Sequence, residues 1–315
     1  MRKARILKLI GGWYTIEDLT TKAIYDAKAS GKLRYMRLEE DSAFLEQVTK
    51  RVKKEIQIKQ VPPKVGDIVS YDDSDINKPI QEIFPRKNEL KRPDIANVDQ
   101  ALLLFSTIEP HFNFNLLDQF LVLIEKADIK PLIIVTKKDL VSLQELTKLK
   151  NKLSYYQKIG YQLYYVNSKE KSGFDDLKKV FTNKVTVLAG QTGVGKSTLI
   201  NALMPELNIE TQAISRALGR GKHTTRHTEL YHYYGGYVAD TPGFSKLDFN
   251  IFNKEELKQY FIEFEKYNHL CQFKNKCNHV YEPNCNVKNN PEILLSRREN
   301  YQKFFKEIES QKERY

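Results

Sequence analysis

The stretch Gly190-Gln191-Thr192-Gly193-Val194-Gly195-Lys196-Ser197-Thr198 constrains this chain more than any other. The apolar run Val185 to Ala189 precedes it and reads as a buried strand, and Leu199-Ile200-Asn201-Ala202-Leu203 follows as the first turns of a helix. Strand, G-x-x-x-x-G-K-[ST] and helix in that order form a phosphate-binding P-loop. Glycines let backbone N–H groups wrap the phosphates, and the helix start presents its positive dipole end to the anion. Lys196 then reaches the β- and γ-phosphates, and Ser197 ligates Mg²⁺. Taken alone, the motif specifies a nucleoside triphosphate and nothing finer.

Two further segments narrow the ligand. Tyr237-Val238-Ala239 runs into Asp240-Thr241-Pro242-Gly243, a D-x-x-G arrangement in which the Asp240 carboxylate meets Mg²⁺ through water and the Gly243 N–H meets the γ-phosphate. Upstream, the buried-strand run Leu132 to Val135 ends in Thr136-Lys137-Lys138-Asp139. Asp139 can accept two hydrogen bonds, from the N1–H and exocyclic amine of guanine. Adenine offers no such pair, so the residue selects GTP and GDP, while Lys137 lays its stem along the base. All three motifs sit at C-terminal ends of expected strands, where open α/β sheets bind ligands.

Strands alternate with amphipathic helices near 115–127, 142–158 and 173–182, which indicates a parallel α/β sheet across residues 86–248. Residues 1–85 read instead as short β-segments with glycine turns, and Ser42 to Glu55 has helical spacing with the basic cluster Lys50 to Lys54. The cluster is a solvated face or a contact for RNA phosphates. Lys plus Arg outnumber Asp plus Glu by 51 to 40, a net charge of +11 that suits a polyanionic partner. No apolar run reaches the roughly eighteen residues of a membrane span, so a cytoplasmic protein without a membrane partner is expected. The only three cysteines, Cys271, Cys277 and Cys285, cluster around His279 as C-x₅-C-x-H-x₅-C. Thiolates and imidazole together suit one tetrahedral structural Zn²⁺, with His269 as the rival nitrogen ligand. In the tail from Pro291, proline stands at an expected first helical position, and Leu294, Tyr301, Phe304, Phe305 and Ile308 recur at helical intervals. The charged face of that helix, with Arg297 and Arg298, is a candidate RNA contact.

These residues resemble the translation-factor-like GTPases, with the base-reading motif placed before the P-loop instead of after D-x-x-G. The order is circularly permuted. With the β-rich start and the C-terminal Cys/His cluster, nearly all 315 residues resemble the RsgA family of ribosome small-subunit-dependent GTPases. The resemblance implies an OB-type β-barrel over 1–85, with Pro63 to Val69 as its P-x-V-G-D-x-V segment, a permuted GTPase domain over 86–248, and a zinc-binding domain with a C-terminal helix over 249–315. It also implies a GTP hydrolase that binds the small ribosomal subunit and its rRNA, acts late in subunit maturation, is stimulated by the subunit and works as a monomer. The resemblance implies His279, which has the family's C-x-H spacing, as the zinc ligand. Gly219 to His227 takes the place of switch I, with Thr225, or Thr224, capping Mg²⁺ and His223 as the internal candidate for positioning water. Phe244 stands where many GTPases carry a water-orienting glutamine, so intrinsic hydrolysis is expected to be slow. Thr136 replaces the asparagine of N-K-x-D, and Asn167-Ser168-Lys169 departs from the S-A-K loop. Because the zinc-binding segment directly follows D-x-x-G, loss of the γ-phosphate is expected to reposition it. An RNA-binding module with a merely structural nucleotide site is the alternative reading, and an ATPase or kinase is disfavoured by Asp139.

Overall fold

The computed structural model describes residues 1–34, 62–207, 228–240 and 252–312. The Ser42 to Glu55 segment, the 219–227 loop with His223, Thr224 and Thr225, Thr241 to Gly243, and Phe244 lie outside the described residues. In chain order the strands are β1 (Arg2–Ile10), β2 (Trp13–Asp18), β3 (Ile24–Arg34), β4 (Ile68–Tyr71), β5 (Ile80–Ile83), β6 (Glu89–Lys91), β7 (Asp94–Ala96), β8 (Gln100–Ser106), β9 (Lys130–Thr136), β10 (Gln162–Tyr165), β11 (Val185–Ala189), β12 (Glu229–Tyr233) and β13 (Gly236–Asp240). The principal helices are α1 (Phe114–Lys126), α2 (Leu143–Lys158), α3 (Phe174–Lys179), α4 (Lys196–Leu203) and α5 (Leu295–Lys312). The chain divides into two compact units, with Met1–Asp99, Phe181–Val187 and Gly221–Gly243 in the first and the remainder in the second.

In the first unit β1 pairs with β2, β2 with β3, β3 with β5, β5 with β4, and β4 back with β1, so five strands form a closed ring of pairings. Period-two alternation drives it. Ala4, Ile6, Tyr14, Ile16, Ala27, Val69, Tyr71, Ile80 and Ile83 point inward as one core. Two buried carboxylates brace the ring. Asp18, at the end of β2, accepts from the Tyr71 hydroxyl at 2.6 Å and from Thr20 and Thr21 N–H, and these bonds hold its carboxyl down to about 2. Asp67 takes a two-pronged pair of bonds from Arg86, both 2.7 Å, and a third from Lys64 N–H. Beside it Gly66 has φ +89° and no room for a Cβ, which would lie 2.1 Å from the Ala96 carbonyl oxygen. The P-K-V-G-D segment is thus a dock for β7 and the chain that leaves the ring. The same unit contains β12 and β13, an antiparallel hairpin, with β13 parallel to β11 and β12 joined to β1 at Lys8 and Glu229.

In the second unit β8, β9 and β10 are parallel. Every residue of β8 is buried, as is all of β9 after Lys130, the near-continuous apolar run of a strand covered on both faces. Helix α1 begins at the Asn113 cap, and α2 begins at a Ser142/Glu145 capping box. Helix α3 is shorter than the expected 173–182. Its C-cap carbonyl, Val180, accepts from Gln100 Nε2 at 2.8 Å instead of continuing the turn. The C-terminal segment buries Phe252, Leu257, Phe261, Phe264, Tyr301, Phe304, Phe305 and Ile308 in one core that reaches Val122 on α1.

Two expectations for the tail are corrected. Pro291 does not open the helix, which starts at Leu295. The intervening residues make tight turns, Asn290 N–H to Val287 and Ile293 N–H to Asn290, that bury Ile293. Arg297 is no RNA contact, because it is fully buried. Its guanidinium donates to both Glu263 oxygens at 2.7 and 2.8 Å and to Asp118 at 2.8 Å, and lies 4.6 Å from the Phe261 ring centroid. Asp118, on α1, also accepts from Tyr156 of α2 and Asn300 of α5. This network fastens the C-terminal segment to α1 and α2.

Candidate nucleotide site and metal centre

The P-loop leaves β11 through Gly190, at φ +144°, where a Cβ would lie 2.4 Å from the Leu104 carbonyl oxygen. Only glycine lets the two backbones approach so closely. Gly195, at φ +95°, turns the chain into α4, and Leu199 N–H closes the first turn on Gly195 at 2.8 Å. Lys196 folds over the loop and donates to the Gly190 and Gln191 carbonyls at 2.5 and 2.7 Å. Burial lowers its pKa to about 8. Its ammonium is therefore poised for an anion whose charge would stabilise it.

The structure brings Thr136 to Asp139 against this loop. Thr136 is buried, and its hydroxyl donates to the Val194 carbonyl of the P-loop at 2.6 Å. It ties the two motifs together through the shorter side chain that stands in the asparagine position. Lys137 is in the left-handed region at φ 56°, with its ammonium on the Glu109 carbonyl at 2.5 Å. Asp139 lies in the short turn Lys138–Leu140 and is exposed. The Asn167 loop joins them, since Val166 N–H bonds Val135 at 2.9 Å and Lys138 Nζ reaches the Tyr165 carbonyl at 3.5 Å. Asn167 itself is buried and accepts from Lys169 N–H at 2.9 Å, which gives this departure from S-A-K a loop-shaping role.

A segment absent from the sequence reading completes the arrangement. Thr107 donates through its hydroxyl to the Lys137 carbonyl at 2.7 Å, and the Pro110 Cδ and Glu109 oxygen lie 3.7 Å from the Cβ position of Gly193. Residues 107–110 thus touch both motifs; the available signal was the polar Ser106-Thr107 pair directly after the apolar run Ala101 to Phe105. Asp240 closes β13 opposite Glu229. Gly243, His223 and Thr225 lie outside the described residues.

At the C-terminal cluster, Cys271, Cys277, His279 and Cys285 are all buried, with one ligand atom from each within 4.8 Å of the others. Cys285 Sγ lies 3.7 Å from Cys277 Sγ, 3.9 Å from Cys271 Sγ and 3.2 Å from His279 Nδ1. A tetrahedron with metal–sulfur bonds of about 2.3 Å has edges of about 3.8 Å, so these spacings fit one small cation and exclude a disulfide. Burial and the Lys258 charge push His279 down to about 4, leaving it neutral with Nδ1 free to coordinate. His269 is exposed and outside the cluster, so the nitrogen that could serve a metal ion here is that of His279.

The chain is similar to proteins already known along nearly its whole length. The RsgA GTPase family model matches residues 83–250. A small ribosomal subunit biogenesis GTPase RsgA from Onion yellows phytoplasma is 45% identical over 314 residues, 99% of each chain. The protein of that name from Staphylococcus carnosus is 40% identical over 322 residues, 100% of each. The chain belongs to the RsgA GTPase family. Among solved structures, YloQ, described as a circularly permuted GTPase, matches with a TM-score of 0.80 and 35% identity, covering 99% of this chain and 96% of its own. YjeQ from Thermotoga maritima matches with a TM-score of 0.78 and 33% identity over 98% of each chain. This RsgA GTPase therefore has the circularly permuted GTPase fold, with a Cys₃His cluster that could hold one metal ion. Among the described residues no helix is long and apolar enough to cross a membrane.

Proposed function

We propose that the chain hydrolyses GTP on the small ribosomal subunit, late in its maturation, and that the subunit stimulates the reaction. The observation that carries the nucleotide reading is the Thr136–Val194 hydrogen bond, which fixes the base-reading motif to the P-loop. Asp139 then reads guanine, the loop N–H groups of residues 190–198 cradle the phosphates, and Lys196 exchanges its loop carbonyls for β- and γ-phosphate oxygens. Ser197, Asp240 and Thr225 would hold Mg²⁺, a hard cation suited to hydroxyl and carboxylate oxygens, which neutralises charge on the phosphates. Gly243 N–H meets the γ-phosphate, and His223 positions the attacking water. The metal at Cys271, Cys277, His279 and Cys285 is one structural Zn²⁺, since thiolate and imidazole donors favour it and four protein ligands leave no position open for catalysis.

The subunit reading is supported by the names of the full-length relatives and by the net charge of +11. Residues 1–85 serve as the RNA-binding part, 86–248 as the GTPase and 249–315 as the zinc-binding part, in a monomer working in the cytoplasm. Trp13, 44% exposed at the β1–β2 turn with Lys28 Nζ 4.1 Å from its ring centroid, offers a face on which an unpaired base can stack. The decisive test is GTP turnover with and without purified small subunits at low and high salt. Slow basal turnover, strong stimulation and loss of stimulation with salt are expected. Turnover that subunits leave unchanged would defeat the reading.

A further inference from the structure

Glu17 lies on β2 of the N-terminal ring and is completely buried. A buried carboxylate needs partners, and among the described residues two of its three side-chain partners come from the distant β12–β13 hairpin. His232 Nε2 lies 2.6 Å from Oε2, and the Tyr237 hydroxyl donates to the carboxylate at 3.1 and 3.2 Å. The third is Lys22 Nζ, at 3.5 Å with its side chain 62% exposed. His232 and Tyr237 face each other across the hairpin in register, with ring centroids 4.7 Å apart. Beside them the Arg5 guanidinium lies 5.0 Å from the Tyr237 ring centroid, and Lys8 pairs with Glu229 at 2.7 Å. The hairpin belongs to the same compact unit as the ring.

Chain connectivity gives this contact its meaning. The hairpin begins two residues after His227 and ends at Asp240, so it joins the 219–227 loop to D-x-x-G. We propose that Glu17 couples subunit binding to GTP hydrolysis without taking part in the basal reaction: from the N-terminal ring it holds the hairpin that joins the 219–227 segment to D-x-x-G, and so passes subunit binding on to them. This rests on the subunit-stimulated reading above. A hairpin that shifts relative to β2 deprives a buried carboxylate of two partners, so the ring and the hairpin favour a common set of positions. Binding energy gained by the ring on RNA can thus bias the segments at both hairpin ends.

The test compares wild type, Glu17→Gln and Tyr237→Phe. Tyr237→Phe removes one hydroxyl and keeps the ring beneath Arg5, so it guards against a Glu17 variant that fails to fold. GDP affinity, basal turnover and subunit pelleting are expected to stay within about twofold of wild type, while stimulated turnover falls about tenfold, the size of an ordinary coupling between sites. Stimulation that persists in both variants, or falls only in proportion to lost subunit binding, overturns the inference. A wild type that subunits do not stimulate defeats the functional reading itself, and this inference with it. A second arm needs no subunits: hydrogen exchange in residues 13–18 is expected to differ between GDP and a non-hydrolysable GTP analogue in wild type and not in Tyr237→Phe. The same difference in both proteins would also overturn the proposal.

Discussion

Replacing Arg297 by methionine tests how the C-terminal segment is fastened. The substitution keeps much of the aliphatic volume and removes a charge that is 0% exposed, leaving Glu263 and Asp118 buried without their cation. Breaking one side of a buried ion pair costs about 3–5 kcal/mol, because the orphaned charge stays behind. For a unit of this size, each kcal/mol lowers the melting temperature by about 2–4 °C, giving a fall of about 6–20 °C. The only tryptophan, Trp13, is in the other unit, so its fluorescence is the wrong probe. Far-UV circular dichroism during urea unfolding, with hydrogen exchange in α1, α2 and α5, follows the right elements. Adding Asp118→Asn and Glu263→Gln to Arg297→Met should recover part of the loss by neutralising the stranded acids. Arg298→Met, which removes one bond to the Lys288 carbonyl, is the control and should cost under about 1 kcal/mol. A loss below about 1 kcal/mol for Arg297→Met, or no recovery in the triple variant, would refute the reasoning.

Asp139→Asn should weaken guanine nucleotides and shift preference toward xanthosine nucleotides, whose 2-oxo group seeks a donor; competition binding against GTP, XTP and ATP measures this, and equal ATP and GTP affinity in wild type would contradict the base assignment. Elemental analysis should find one Zn²⁺ per chain, and either chelation or Cys277→Ala should destabilise residues 265–290 more than the parallel strands, as read by hydrogen exchange. Lys196 has a folded pKa lowered to about 8 from 10.5, so the charged form is disfavoured below 8 and that cost is relieved as pH rises from about 8 to 10.5. Phosphate binding needs the ammonium, so GTP affinity should fall above about pH 8 with proton uptake on binding; calorimetry in buffers of different ionisation enthalpy checks both, and a flat affinity from pH 7 to 9.5 would count against the lysine's role.

What the sequence discloses is what depends on neighbours in the chain. The P-loop, its strand and its helix are legible because a phosphate cradle is built from consecutive backbone groups, and the Cys/His cluster because its ligands fall within fifteen residues. Pairs made across the fold leave no such trace. Asp118 meets Arg297 across 179 positions of sequence, and Glu17 meets Tyr237 across 220. Arg297 reads as a solvated helix face because arginine is rarely fully buried unless paired, and its partners are not its helical neighbours. Thr136 reads as a weakened asparagine. Its hydroxyl in fact reaches the Val194 carbonyl, a use that no tetrapeptide pattern can report.

The clamp between Asp67 and Arg86 bears on how the protein can be cut apart. A fragment that stops at residue 85 would strand a fully buried carboxylate and strip the Ala96 backbone from its seat over Gly66. Limited proteolysis should accordingly spare residues 86–96, and a recombinant N-terminal piece should extend at least through Asp99, whose carboxylate already reaches forward to the Val185 N–H at 2.7 Å. In a lineage exchanging domains, a crossover between residues 67 and 86 would have to bring both halves of the clamp along, so recombination there is disfavoured even though the sequence changes character at that point.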